Sequence, residues 1–270
     1  MTEWLSVYGL VAYDGTDYHG FQVQVGVPTI QGELESALQS VASLGGRVAG
    51  SGRTDTGVHA AGQVIGATVE WRHSVESLQQ AWNAHLPPSI SIVRMGIAPA
   101  GFHPRFSALN RTYRYTIQMA ENESRLVRRS PLTDRFALYV TGSLALEAMA
   151  EAATLLVGEH DFATFGQPPQ GENTVRRVMQ AEWQVVQPDL KPLQTFPGSQ
   201  LVFTISANGF LRRMVRNIVG SLLAVGKGRW QPADLQEALE SMDRDRSAPP
   251  APPNGLVLER VEYPLAMSIR

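Results

Sequence analysis

The chain has 270 residues, no cysteine and a net charge of -2. That excludes disulfides, thiolate metal sites and a cysteine nucleophile, and it leaves room for two domains, or one large one, with a core that needs no staples. The start, Met1-Thr2-Glu3-Trp4, carries no basic leader, and no apolar run approaches the roughly 20 residues that span a bilayer, so a soluble, cytoplasmic protein with no membrane partner is expected.

Trp4 to Tyr13 alternates, with Leu5, Val7, Val11 and Tyr13 on one face, and reads as a strand. Asp14 to Gln22 is a polar loop with Tyr18, His19 and Phe21 interleaved. Its aromatics either offer stacking surfaces to bases, with Gln22 and Gln24 as hydrogen-bonding neighbours, or fold back on the core. Thr29 caps a helix whose stripe is Ile30, Leu34, Ala37, Leu38 and Val41, stopped by Gly45-Gly46. A strand over Gln63–Trp71, a helix from Ser74 to the Pro87-Pro88 stop and a strand over Ile90–Ile97 follow. Together they describe a sheet with its helices on one face. The turn-rich Pro99–Pro104 stretch sets a boundary just after it, giving domains 1–106 and 107–270.

Ser107 to Met119 reads as one long strand. Arg111 and Tyr113 lead a face continued by Tyr115, Ile117 and Met119, while Arg114 lies on the other face. A polar start to an apolar face fits a cleft at that end; a core tyrosine with a satisfied hydroxyl is the alternative. Ser143 is expected to cap a helix running through Leu156, and Gly158 to Phe162 to be a polar loop in which His160 and Asp161 end the helix without catalysing. A strand over Leu201–Ala207, a turn at Asn208-Gly209-Phe210 and a helix over Leu211–Val225 come next. Arg212, Arg213 and Arg216 are expected on that helix, opposite its apolar stripe and near its N-terminus, where an anion is welcome. Pro232 opens a last helix, Ser247–Pro253 is a Pro/Ala linker, and Gly255–Tyr263 is a closing strand. The class is α+β in α/β-type layers, with mixed, largely antiparallel sheets and a strand-loop-helix in each half that points to pseudo-symmetric domains.

The small net charge hides an asymmetry. Residues 1–46 carry five acids and no lysine or arginine, and residues 201–230 carry five bases and no acid. Arg105, Arg111, Arg114, Arg125, Arg128 and Arg129 add basic residues between them. Local basic patches on a near-neutral chain suit a protein that meets a polyanion on one face, with a solvated surface as the alternative.

Gly50 to His59, reading G-S-G-R-T-D-T-G-V-H, has a single apolar side chain among its ten residues. It has almost nothing to bury, so it is neither a packed helix nor a two-sided strand. Yet Val48 precedes it and Val64-Ile65 follow, which makes it a short polar insert between buried elements, where chemistry tends to sit. Arg53 and Asp55, two apart, project to one side of an extended segment, and an arginine so placed favours the carboxylate over the carboxylic acid. A surface loop with a turn at Asp55 is the plainer reading.

Gly52-Arg53-Thr54-Asp55-Thr56-Gly57-Val58-His59-Ala60 resembles the signature of the tRNA pseudouridine synthase A family. Tyr18 to Gln22, Phe102-His103-Pro104-Arg105-Phe106-Ser107, Tyr113-Arg114-Tyr115, His160-Asp161-Phe162, Phe210 with Met214-Val215-Arg216-Asn217, and Gly255-Leu256 agree in order and rough spacing. Two positions depart from it: Phe21 stands where tryptophan is frequent, and Arg212-Arg213 where histidine or an aromatic is common. The resemblance implies the pseudouridine synthase fold of two pseudo-symmetric domains. It also implies a homodimer acting on tRNA, at uridines 38, 39 and 40 of the anticodon stem-loop, without metal or cofactor. Asp55 is then the nucleophile, attacking C1′ or C6. Tyr113 stacks on the uracil and serves as base, Arg53 helps open the stem, and Arg216 pairs with the nucleophile. Phe21, Gln22, Arg111, Arg114, Arg212 and Arg213 are the expected substrate contacts. A catalytically silent RNA-binding module and a carboxylate-dependent N-glycosidase are the rival readings, since the first needs no Asp55 and the second shares attack at C1′.

Overall fold

In a computed structural model that describes residues 3–119, 133–168, 171–186 and 199–267, the chain forms two units. One is Met1–Arg111 with Leu258–Arg270, the other Thr112–Val257. Arg125, Arg128 and Arg129 lie outside the described residues.

The first unit starts with β1 (Glu3–Tyr13), in which Val7, Val11 and Tyr13 are buried at alternate positions, as the sequence pattern requires. Thr29 accepts the Gly32 N–H and starts α1 (Ile30–Gln39), which buries Ile30, Leu34 and Leu38. Two-residue strands β2 (Ser43–Leu44) and β3 (Ala49–Gly50) lie antiparallel to β4 (His59–Trp71). The strand expected from Gln63 thus begins four residues earlier. Ser74 accepts the Ser77 N–H and starts α2 (Val75–His85), which buries Leu78 and Trp82. Trp82 is fully buried and donates its indole N–H to Leu34 O at 2.9 Å, tying the two helices. β5 (Ile90–Ile97) and β4 flank β1, both antiparallel. Burial of each large apolar side chain in this layer contributes roughly 1.5–3 kcal/mol.

The second unit takes most of β6 (Asn110–Met119), with β7 (Leu138–Val140) parallel to it. α3 (Leu146–Thr154) starts at Ala145, not at Ser143, and its first residues hang on an Ala145 N–H to Gly226 O bond at 2.8 Å. The loop expected at Gly158–Phe162 is largely a strand, β8 (Gly158–Asp161), because it finds an antiparallel partner in β9 (Val175–Val186). β10 (Gln200–Ala207) pairs with the other edge of β9. α4 (Met214–Gly226) is buried along most of its length, and α5 (Pro232–Ser241) begins on its proline. The sheet order in this unit is β6-β10-β9-β8.

β11 (Leu256–Glu262) crosses the unit boundary, and from Leu258 onward it belongs to the first unit, as the fourth strand of β5-β1-β4-β11. The class is α+β with a mixed, largely antiparallel sheet, as the sequence pattern predicts. Among the described residues no helix is long and apolar enough to cross a membrane.

Candidate functional site

The polar insert of the sequence is the tip of the β3–β4 hairpin. Gly50 pairs with Ile65, and the Ser51 N–H donates to Val64 O at 2.8 Å. Residues 51–58 then leave the sheet, held by a buried polar cluster. Gln63, 0% exposed, donates from Nε2 to Gly52 O at 2.9 Å and to the Tyr13 hydroxyl at 3.4 Å, and it accepts from Ser51 Oγ at 2.5 Å. The Tyr13 hydroxyl is 2.8 Å from Thr54 Oγ1. Above them the Phe21 N–H donates to Thr54 O at 3.1 Å, and the Val58 N–H to Asp55 O at 3.1 Å. Gly20, at φ +90°, brings its backbone so close to Thr54 O that an added Cβ would stand 2.7 Å from that oxygen. Ser51 and Thr54 are therefore turned inward, while Arg53 is exposed and Asp55 half-buried. What the loop presents is Arg53 and Thr56, with the Asp55 carboxylate half-buried between them.

Burial pushes the Tyr13 hydroxyl up to about 12, against the lowering effect of its bonds to Thr54 and Gln63. A group whose folded value is raised supports the fold fully below its ordinary value of 10.0 and loses that support as pH rises through the folded value. Burial also raises the hydroxyls of Tyr115 and Tyr263. Thermal stability is thus expected to hold up to about pH 10 and to fall between about 10 and 12, with part of that fall absent in Tyr13→Phe; melting curves across this range check it.

Phe21, expected among the substrate contacts, is 3% exposed, its ring packed on Gly50 and near Tyr13. It supports the loop from the core side, whereas Gln22 is exposed. Arg111 also faces the protein. One terminal nitrogen donates to Ser51 O at 2.9 Å and to Arg105 O at 2.7 Å, so the guanidinium joins the 103–108 turn to the entry of the Asp55 loop. Tyr263 donates to Pro104 O at 2.6 Å in the same turn. The sequence reading missed Gln63, Tyr13 and Tyr263 as supports. For Gln63 a signal existed, an amide at the head of the apolar run Val64-Ile65 in an expected strand.

In the second unit Tyr113 is 8% exposed, with its ring edge-on to Phe210 at 5.1 Å and 89°. Arg114 is exposed. Arg216, in the first turn of α4, donates from Nε to Ala251 O at 2.8 Å, and its charge acts on the Tyr115 hydroxyl, which itself donates to Pro252 O at 2.9 Å. Arg212 and Arg213 are exposed but stand ahead of the helix, not on it. Arg213 adopts φ 63° as the residue before the first turn, so the apolar stripe from Leu211 onward overstated the helix by three positions. A non-glycine residue there is strained by of order 1 kcal/mol.

A family model described as tRNA pseudouridine synthase matches residues 10–107 and 152–264. The chain is 41% identical over 261 residues to tRNA pseudouridine synthase A of Chloroflexus aurantiacus, covering 94% of this chain and 87% of that protein. It is 38% identical over 255 residues to the protein of that name from Pseudothermotoga lettingae (94% and 98% covered) and 41% identical over 264 residues to that of Rhizobium meliloti (94% and 97%).

Proposed function

This chain belongs to the tRNA pseudouridine synthase family, and we propose that it isomerises uridine to pseudouridine in the anticodon stem-loop of tRNA, at positions 38, 39 and 40, with Asp55 as the nucleophile. The observation that carries the reading is the loop 51–58. Its inward residues are tied by buried hydrogen bonds, and between an exposed arginine and an exposed threonine it holds a half-buried carboxylate. An ordinary aspartate is ionised at neutral pH and can attack without a separate base.

The reaction breaks the N1–C1′ bond, turns the uracil and forms a C5–C1′ bond; the C5 hydrogen leaves as a proton to solvent and N1 takes up a proton. Asp55 holds the nucleotide covalently between the two bonds. One proton leaves and one arrives and no electrons are gained or lost, so the reaction requires no cofactor or metal. A base in a stem must first be flipped out at a cost of a few kcal/mol. Arg53 is assigned to the opened stem, Tyr113 to the uracil ring and as base, and Arg216 to the charge of the carboxylate. The edge-on Phe210 ring fixes the plane of Tyr113. Gln22, Arg114, Arg212 and Arg213 are exposed and are assigned to further RNA contacts, while Arg111 and Phe21 act by shaping the loops that carry the others. We place the protein in the cytoplasm as a homodimer, which light scattering would check.

The test uses unmodified tRNA labelled with tritium at C5 of uridine. Release of tritium with the base retained in the RNA is the expected result. Free uracil among the products would replace this reading with an N-glycosidase, and tRNA binding without release would replace it with a silent binding module. Gln63→Leu is a second expectation. It leaves the Gly52 carbonyl and the Ser51 hydroxyl without their amide partner, at roughly 1–3 kcal/mol, and lets the loop drift. Turnover should fall by about tenfold or more with tRNA affinity little changed, as melting temperature and steady-state kinetics would show.

A further inference from the structure

We propose that Phe106 is a base-stacking platform, the ring on which an unpaired nucleobase of the RNA substrate rests, with Arg105 beside it for the adjoining phosphate. The inference rests on the reading of the substrate as tRNA and adds a subsite to it.

Phe106 is 76% exposed, and a large apolar ring left in water needs a reason when the chain around it is so fully tied. The His103 Nδ1 accepts the N–H groups of Arg105 at 3.1 Å and Phe106 at 3.3 Å. The His103 N–H donates to Ser107 Oγ at 3.0 Å, and the Ser107 N–H returns to His103 O at 3.0 Å. Tyr263 holds Pro104 O, and Arg111 holds Arg105 O. The turn therefore has a fixed shape, and that shape keeps the ring out of the core.

Two neighbours define what the ring accepts. The His103 ring lies 4.4 Å away at a 37° tilt, and the Arg105 guanidinium carbon stands 5.5 Å over the ring centroid. An aromatic that already takes a flat ring and a planar cation offers the surface on which single-stranded bases stack. A protein partner would need a contiguous apolar patch far larger than one ring supplies. The position fits as well. The Arg111 nitrogen that holds Arg105 O also holds Ser51 O, at the entry of the Asp55 loop. The platform and the proposed nucleophile thus stand on turns sharing one hydrogen-bond donor.

The experiment compares Phe106→Leu and Phe106→Trp with wild type for tRNA binding over a range of salt, tritium release, and mass of the RNA-free protein. Phe106→Leu, which keeps apolar bulk and loses the π face, is expected to weaken tRNA binding about tenfold. The slope of log Kd against log salt stays unchanged, because stacking releases no counterions. Phe106→Trp should bind as well as wild type. Wild-type binding by Phe106→Leu, while the wild-type chain releases tritium, overturns the platform and leaves the proposed reaction standing. A lower mass of RNA-free Phe106→Leu, with binding lost in parallel, assigns the ring to a contact between protein chains and also overturns it.

Discussion

Asp55→Asn is expected to lower tritium release from C5-labelled tRNA by on the order of 10⁴-fold or more, while tRNA affinity changes by less than about threefold and the melting temperature stays within about 2 °C. Asparagine has the shape of aspartate but no charge with which to form or release a covalent bond to the nucleotide. The loop should survive the change because asparagine keeps an acceptor oxygen in the place of the carboxylate, and because the loop is also tied through Ser51 Oγ, Gly52 O and Thr54 Oγ1 below and through the backbone carbonyl of Asp55, which accepts the Val58 N–H at 3.1 Å. A parallel collapse of binding and stability would make Asp55 a structural residue. Tritium release that persists in the variant would leave the reaction in place and move the nucleophile.

Gly15→Ala should be nearly as damaging to activity, through packing alone. A Cβ at residue 15 would stand 2.0 Å from Val58 O and 2.7 Å from Val58 C, and backbone atoms cannot rotate out of its way. Gly15 also donates its N–H to the buried His59 Nδ1 at 3.1 Å, so the turn cannot simply retreat. Val58 must move, and its N–H is bonded to Asp55 O. The expected cost is about 3 kcal/mol, or roughly 6–12 °C in melting temperature for a chain of this size. A shift of about 1 Å at the carboxylate costs on the order of 10²-fold in rate. Gly52→Ala serves as the stability control, because an added methyl there meets nothing within 4 Å. An active, fully stable Gly15→Ala would show that the two turns do not constrain each other.

The parts of the fold legible in the sequence were those set by local chemistry. Thr29 and Ser74 cap their helices with hydroxyl oxygens, and Pro232 starts α5, each an interaction completed within three residues. β9 was not legible. Val178 and Ala181 are its buried apolar residues while Val175 and Val185 face water, so its hydrophobic period is faint and its identity comes from β8 and β10 on either side. The start of α4 was misplaced for a different reason. Apolar periodicity continues back to Leu211, and nothing in a side-chain pattern reports that Arg213 has a positive φ.

At the site, the loop itself stood out because Gly50 to His59 offers so little to bury. Its supports did not, since Tyr13 meets Thr54 and Arg111 meets Ser51 across long stretches of chain. Arg111 shows the difference most directly: in the sequence it is one more base for a polyanion, and in the fold its guanidinium donates to the carbonyls of Ser51 and Arg105.

The return of β11 to the first unit has a consequence for the order in which the protein is made. Residues 112–257 are synthesised between β5 and the strand from Leu258 that completes β5-β1-β4-β11. Once the first 111 residues are made, the part of the β4 edge that β2 and β3 do not cover is still open, and Pro104 lacks the hydroxyl of Tyr263 that fixes its turn. Folding from the N-terminus can therefore set the ties of Gln63, Tyr13 and Arg111 to the Asp55 loop early, whereas the 103–108 turn that shares Arg111 with it gains its bond to Tyr263 only at the end. The loop and its own supports are thus among the earliest parts made, while the uncovered edge of β4 beside it waits for the strand from Leu258.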